Sequence, residues 1–488
     1  MVNLKERGIK AFIWDFFGKM STHGMGFIVT IFLARLLEPS DFGLIAIIMV
    51  IIGIASVFTD VGLGGALIQR RKVHPVHYSS VFYFNIVIGF LLTLITYFSA
   101  PWIGDFYNSQ PLLPLVQVMA LSFVINAFSS VQSIRLRKEL NYTLLTKISL
   151  ISSFSSGVLG ISLALWGAGV WSLVVQTLTM GVIYNMLIWS ATNWRPSLNF
   201  SWKALIQLWG FGFRMFLAGM LDAVFTRLDF LIIGKLFPPA TLGYYQRAKS
   251  LNGMVVEYSS GSLMAVLFPV LSKVKNDLAR FQNIIIKSLG IICFVAFFLL
   301  GVLYLVSEEL IVLVFSDKWL PSVDVFKILV LSGFSYPISA LLVNVLASRG
   351  NSKLFLRLEI YKKVIASINF LVLYFLGINV FLYGLIAQAF LGMSLNILFA
   401  SREIIMPFYV FAKPIIVQIS IAITGVLITD WFFQNIELIH IMMLILKGGV
   451  FTFFYMVLNY VFKTSSFGYF MEQVMPIMRS KLKNKVKN

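Results

Sequence analysis

Charge is scarce in this sequence. Only 12% of its 488 residues are Asp, Glu, Lys or Arg and 59% are hydrophobic, which is too little charge for a water-soluble protein of this length. Cysteine is nearly absent as well: the lone Cys293 lies in an apolar run and has no partner for an internal disulfide. Four histidines in no ligand-like spacing argue against a metal centre. The outer loops are short throughout, so there is no room for a soluble catalytic domain. Residues 1–10 are polar and run directly into an apolar segment without a small-residue cleavage site, so no signal peptide is read and the first helix is expected to stay.

What the chain has instead is a succession of apolar runs, each long enough to cross a hydrocarbon core about 30 Å thick. They predict an all-α integral membrane protein with fourteen spans. The formal net charge of +19 would suggest nucleic acid in a soluble protein, but in a membrane protein the placement of the basic residues matters more. With a cytoplasmic N-terminus, the great majority of the 39 Lys and Arg fall on cytoplasmic segments: the N-terminus, the loops near Arg70, Arg137, Arg195, Lys275, Lys353 and Lys413, and the tail. Only Arg35, Lys235, Lys318 and Lys327 fall on the other side. That asymmetry orients the chain with both termini cytoplasmic and explains its basicity without a nucleic-acid partner.

The sequence also repeats itself. The segment 31–43, with Arg35, Pro39 and Gly43, matches 231–243, with Lys235, Pro239 and Gly243, in apolar pattern, basic residue, proline turn and glycine. Val118 to Ser122 matches Ile328 to Ser332, and Gly167 matches Gly377. A polar stretch containing Asn193-Trp194-Arg195-Pro196 falls where the first copy ends. The expected organisation is therefore an N-lobe of six helices (1–192), a cytoplasmic linker (193–203), a C-lobe of six helices (204–402), two further helices (403–464) and a basic cytoplasmic tail (465–488). Six helices per half make both copies enter the membrane from the same side, so the repeat axis runs along the membrane normal.

Several passages resemble the polysaccharide exporters of the multidrug/oligosaccharidyl-lipid/polysaccharide superfamily, most closely the Wzx-type flippases of the colanic acid exporter group. They are Gly62 to Arg70 with Val81 to Asn85 behind it, Trp194-Arg195-Pro196, Arg227 to Gly234, Leu267 to Ser272, and Asp317 to Pro321. They occur in order from about residue 8 to residue 400. The resemblance implies a 6+6+2 architecture, shared with lipid II flippases and multidrug extruders, and a central cavity between lobes. It further implies flipping of an undecaprenyl-pyrophosphate-linked oligosaccharide across a bacterial inner membrane for exopolysaccharide, capsule or O-antigen synthesis. The partners so implied are that glycan, membrane lipids, a polysaccharide polymerase and chain-length machinery, with no cofactor beyond a coupling ion, H+ or Na+.

An ionised side chain at mid-bilayer costs at least about 2.5 to 3.5 kcal/mol, so charges inside spans face a cavity, a partner or a substrate. Asp15, Lys19 and His23 recur every fourth residue in span 1 (9–37) and share one helix face. Span 7 (205–236) carries Arg214, Asp222, Arg227 and Asp229; on a continuous wheel Arg214, Asp222 and Asp229 share a sector and Arg227 points away, toward a partner within its lobe. Span 8 (242–270) adds Arg247, Lys249 and Glu257, and span 2 (42–70) adds Asp60. Because a pyrophosphate needs cations to replace lost water, Lys19, Arg214, Arg247, Lys249 and Arg227 are the candidate substrate contacts; the alternative is pairing with neighbouring carboxylates. Asp60, Glu257, Asp15, Asp222 and Asp229 are the candidate ion-coupling groups, with a satisfied N–H or Arg partner as the alternative for Asp60. Gly62, Gly64 and Gly65 read as close-packing residues. Lys447 in span 14 (438–462) is expected to snorkel or touch a lipid headgroup.

These charged positions are not copied by the repeat: Lys19 corresponds to Gly219, Asp60 to Ser260 and Arg214 to Trp14. Arg35 and Lys235, which are copied, read as scaffold. Two other functions stay open at this point. A drug or ion antiporter of the same architecture would want acidic or aromatic sites for cationic drugs. A membrane glycan polymerase or ligase would need a large outer loop with catalytic carboxylates or arginines.

Overall fold

The computed structural model describes residues 4–274, 276–349, 351–436 and 438–472; the side chains of 4–13, 15, 16, 255–266, 268, 269 and 352 are outside that description. All regular structure among the described residues is helical. The chain divides into two compact units, Met1–Gln246 and Arg247–Asn488. The first holds α1 (Leu4–Leu36), α2 (Pro39–Ala55), α3 (Val57–Asp60), α4 (Leu63–Gln69), α5 (Pro75–Tyr107), α6 (Leu112–Met119), α7 (Leu121–Lys138), α8 (Tyr142–Leu165), α9 (Val170–Ala191), α10 (Trp202–Phe225), α11 (Leu228–Leu236) and the first turns of α12 (Pro239–Lys273). The second holds the rest of α12, then α13 (Leu278–Leu305), α14 (Ser307–Phe315), α15 (Ser322–Gly333), α16 (Ser335–Arg349), α17 (Ser352–Leu376), α18 (Ile378–Glu403), α19 (Phe408–Phe433) and α20 (His440–Val461).

Ten stretches among the described residues are long and apolar enough to cross a membrane, which makes this a multi-pass membrane protein. Three of them join consecutive helices: Pro39–Asp60, Leu112–Lys138 and Ser322–Arg349. The other long helices, α1, α10, α12 and α17, carry charge along their length. Three of these four are the helices on which sequence analysis placed candidate substrate contacts.

Helix α5 shows how such a chain packs. One face exposes Val87, Phe90, Leu91, Leu94, Ile95 and Phe98, spaced by three and four residues, while Asn85, Gly89, Thr93, Thr96 and Ala100 are buried. Large apolar groups face lipid, and small or hydroxyl-bearing residues let neighbouring backbones approach. Gly89 lies against Phe123 and Ala127 of α7, and the Thr93 hydroxyl donates to the Ala120 carbonyl at 3.0 Å. Removing the apolar-inside rule of soluble proteins leaves tight contact and hydrogen bonding as the adhesive.

In the second unit, α19 and α20 are fastened to α13 by a buried polar knot. The Tyr455 hydroxyl lies 2.9 Å from the Phe294 carbonyl and 2.5 Å from Gln418 Oε1, while Gln418 Nε2 donates to Asn459 Oδ1 at 2.7 Å. Phe281, Phe294, Phe297, Phe411, Phe451 and Tyr455 fill the core around it. Nearby, Lys447 does not snorkel. Its Nζ lies 2.5 Å from Glu309 Oε1 of α14, and Glu309 is only 4% exposed. The expected lipid contact is corrected to an ion pair internal to the second unit.

Candidate functional site

The motif Asp60-Val61-Gly62-Leu63-Gly64-Gly65 breaks the second span. Val61 (φ 44°) and Gly62 (φ 72°) are both left-handed, and a new helix, α4, starts after them. Asp60 stabilises that start: both carboxylate oxygens accept from Gly64 N, at 3.0 and 2.8 Å, as an acidic cap does at a helix N-terminus. The Asn85 amide lies within 3.4 Å of Asp60 and 2.9 Å of Ser130. Asp60 is therefore half-buried in a polar crevice, held by a backbone N–H as the alternative reading foresaw. At the far end of α4, Lys138 Nζ donates to the Leu67 and Arg70 carbonyls, at 2.6 Å each, capping a C-terminus with positive charge.

Helix α10 packs on this broken span, touching α3, α4 and α5. Gly62 makes the contact feasible, since a Cβ there would overlap the Gly212 carbonyl oxygen of α10. The close-packing reading of Gly62 agrees with this geometry. Gly62→Ala combines that overlap with a left-handed backbone, so it is expected to destabilise the first unit by at least about 1–3 kcal/mol, measurable as a lower unfolding temperature in detergent.

Span 7 is not one continuous helix. α10 stops at Phe225, Arg227 takes a non-helical φ of −118°, and α11 starts at Leu228. The single wheel that grouped Asp229 with Arg214 and Asp222 is corrected accordingly. Arg214 and Asp222 are exposed on α10, whereas Asp229 is 6% exposed and takes part in starting α11: Oδ1 accepts from Phe230 N at 3.0 Å and Oδ2 from the Tyr245 hydroxyl at 2.6 Å. Arg227 is half-buried against Gly53 of α2, where a Cβ would strike its guanidinium. That agrees with its pointing away from Arg214 but corrects its neighbour: Gly53 belongs to the expected N-lobe (1–192), not to the C-lobe (204–402) that contains Arg227.

Lys19 and His23 are exposed on α1. Arg247, 8% exposed, and the half-buried Lys249 open the second unit on α12. The side chains of Asp15 and Glu257 lie outside the described residues. Sequence analysis passed over α17, where Glu359 pairs with Lys362 and Arg357 is exposed. Its signal was available: Lys353, Arg357, Glu359, Lys362 and Lys363 fall in one otherwise apolar helix.

The repeated segments meet one another. Pro39 and Pro239 begin α2 and α12, and the first turns of these helices cross so closely that a Cβ on Gly43 would overlap the Pro239 carbonyl oxygen and one on Gly243 would overlap the Pro39 carbonyl oxygen. Lys235 donates to the Phe106 carbonyl and stands over the Phe106 ring at 4.6 Å, tying α11 to the end of α5. The copied basic residue thus holds helices together, as a scaffold residue does.

This arrangement of broken, charged helices packed among apolar ones has a counterpart among solved structures. The solved structure of Lipid II flippase MurJ, inward closed conformation, matches with a TM-score of 0.69 at 14% identity, covering 93% of this chain and 100% of that one. The chain belongs to the polysaccharide biosynthesis protein family, whose sequence pattern it matches over residues 32–324. It is similar to the lipopolysaccharide biosynthesis protein WzxC of Escherichia coli (strain K12), 22% identical over 85% of this chain and 83% of that protein. It is also similar to the succinoglycan biosynthesis transport protein ExoT of Rhizobium meliloti (strain 1021), 23% identical over 65% of each. Among these, ExoT is named a transport protein and MurJ a flippase, and neither is named as an enzyme.

Proposed function

We propose that this protein flips an undecaprenyl-pyrophosphate-linked oligosaccharide from the cytoplasmic to the outer leaflet of a bacterial inner membrane. The fourteen helices of this reading form two lobes of six and a C-terminal pair, and the end bearing the basic loops faces the cytoplasm. The observation that carries the reading is the reciprocal crossing of the two repeat copies at Gly43 and Gly243. Crossed helix ends drawn from both repeats close one end of a pathway, and alternating access requires them to part. Membership of the polysaccharide biosynthesis family and the name of ExoT support a glycan as the cargo.

In this reading Lys19, Arg214, Arg247 and Lys249 meet the pyrophosphate, and Arg227 does so less directly because it packs on Gly53. Asp60, Asp222 and Asp229, with Asp15 and Glu257, supply carboxylates whose proton or sodium occupancy couples flipping to an ion gradient. Transfer of a fluorescent lipid-linked sugar across vesicles containing the purified protein tests the reading. Transfer that needs the protein and responds to an imposed proton or sodium gradient is expected; none above protein-free vesicles would overturn it. Arg214→Ala and Lys249→Ala should each abolish export while the protein still inserts. Normal exopolysaccharide output from both variants would remove the cationic site.

A further inference from the structure

At the end of the first unit that carries the basic loops, the C-termini of α7 and α9 and the N-terminus of α8 surround a cavity of about 250 Å³. Its walls are polar and well fixed. Asn141 caps α8, its Oδ1 accepting from Leu144 N at 3.3 Å. The Thr192 hydroxyl lies 2.7 Å from the Ile188 carbonyl oxygen and also touches Gln132 Oε1, so its single proton is shared between these acceptors. Gln132 is 1% exposed, and its Nε2 meets no acceptor among the described residues, so a buried amide donor is left over beside the cavity. Arg135 is held between the rings of Tyr78 and Trp194, at 5.5 and 5.4 Å, and pairs with Glu139 at 3.4 Å. A guanidinium has five N–H donors, so most of those on Arg135 remain for a ligand.

The charge of this cavity selects among ligands. Arg135 and Glu139 cancel, and two neighbouring cations, Lys138 and Arg195, have donors engaged elsewhere. Lys138 is spent on the carbonyls of Leu67 and Arg70, while Arg195 donates to the carbonyls of Thr192, Trp194 and Trp189. A diphosphate would find one cation already paired with a carboxylate. A sugar ring would find what it needs: planar carboxylate, amide and guanidinium groups for vicinal hydroxyls, with the part-exposed Trp194 ring at the cavity wall for apolar contact. The volume lies just below the usual 300–1,000 Å³ of drug-sized sites, which suits one ring and not a chain.

We propose that this cavity is a subsite for a single neutral sugar residue, with Glu139, Arg135 and Trp194 as its recognition groups. That the sugar belongs to the transported glycan rests on the flippase reading; the binding itself does not. On the basic face, such a subsite would hold one residue of the glycan before its pyrophosphate enters the membrane.

Saturation-transfer NMR on the full chain in nanodiscs tests the proposal, with free hexoses, N-acetylhexosamines, hexuronic acids and inorganic pyrophosphate as separate probes. A neutral sugar should receive saturation. Glu139→Gln and Trp194→Leu should each weaken its binding about tenfold, as loss of a charged hydrogen bond or a stacking face does, while Trp202→Leu, outside the cavity, leaves it unchanged. Glu139→Gln keeps the shape of a half-exposed side chain, so the test stands even if Trp194→Leu fails to fold. No response from any neutral sugar, equal binding by both variants, or preference for pyrophosphate would overturn the proposal. The vesicle assay separates the two readings: sugar binding without flipping removes transport and keeps the subsite, and flipping without sugar binding does the reverse.

Discussion

Gly43→Val will abolish transport while the protein still accumulates in the membrane. The new side chain must occupy the position of the Pro239 carbonyl oxygen, and that atom belongs to a helix backbone that cannot rotate aside. Overpacking against mobile side chains already costs about 1–3 kcal/mol, and backbone yields less. At about 1.4 kcal/mol per tenfold, the crossed state loses on the order of a hundredfold in population or more. If the transport cycle passes through that state, turnover of a lipid-linked sugar in vesicles falls with it. Gly243→Val should behave alike through Pro39, whereas Gly24→Val, where a Cβ meets nothing within 4 Å, should transport close to normally. Wild-type turnover by Gly43→Val would show that the crossing is dispensable.

The second large effect is on stability. Lys447→Ala will strand the carboxylate of Glu309, which is 4% exposed and whose Oε2 already meets no partner among the described residues. Breaking one side of a buried pair costs about 3–5 kcal/mol, most of it from the charge left behind. The double variant Glu309→Gln, Lys447→Met should recover most of that loss, because it removes both charges and keeps the volume. Thermal unfolding in detergent reads both results. A single variant as stable as the double would mean that Glu309 is neutral or solvated.

How much of this could be read from the sequence depends on how local the cause is. Apolar runs reveal spans because hydrocarbon burial is a property of each segment, and the helices carrying Asn85 or Phe451 fall where hydropathy puts them. The breaks inside spans are less legible. Gly62 hints at one, but Val61 at φ 44° is a β-branched residue in a conformation it disfavours. The interruption at Arg227 carries no glycine or proline, so a continuous wheel misplaced Asp229. Ion pairs are harder still: nothing local to Lys447 announces Glu309, which α14 supplies from 138 residues earlier in the chain. The charged candidates themselves are visible because charge is rare here, and by the same criterion Arg357, Glu359, Lys362 and Lys363 of α17 are legible too.

The contact between Pro39, Gly43, Pro239 and Gly243 has the form of a homodimer interface, in which each partner offers the other the same two groups. Here both partners belong to one polypeptide, and that removes a constraint. In a true homodimer every substitution appears twice; in this chain it appears once. The two sides have already diverged: Glu38 and Asp41 form a reciprocal capping box ahead of α2, while Pro238 and Thr241 stand at the matching positions before α12. One side can therefore be stiffened or loosened without its twin, which gives a symmetric contact two individually adjustable sides.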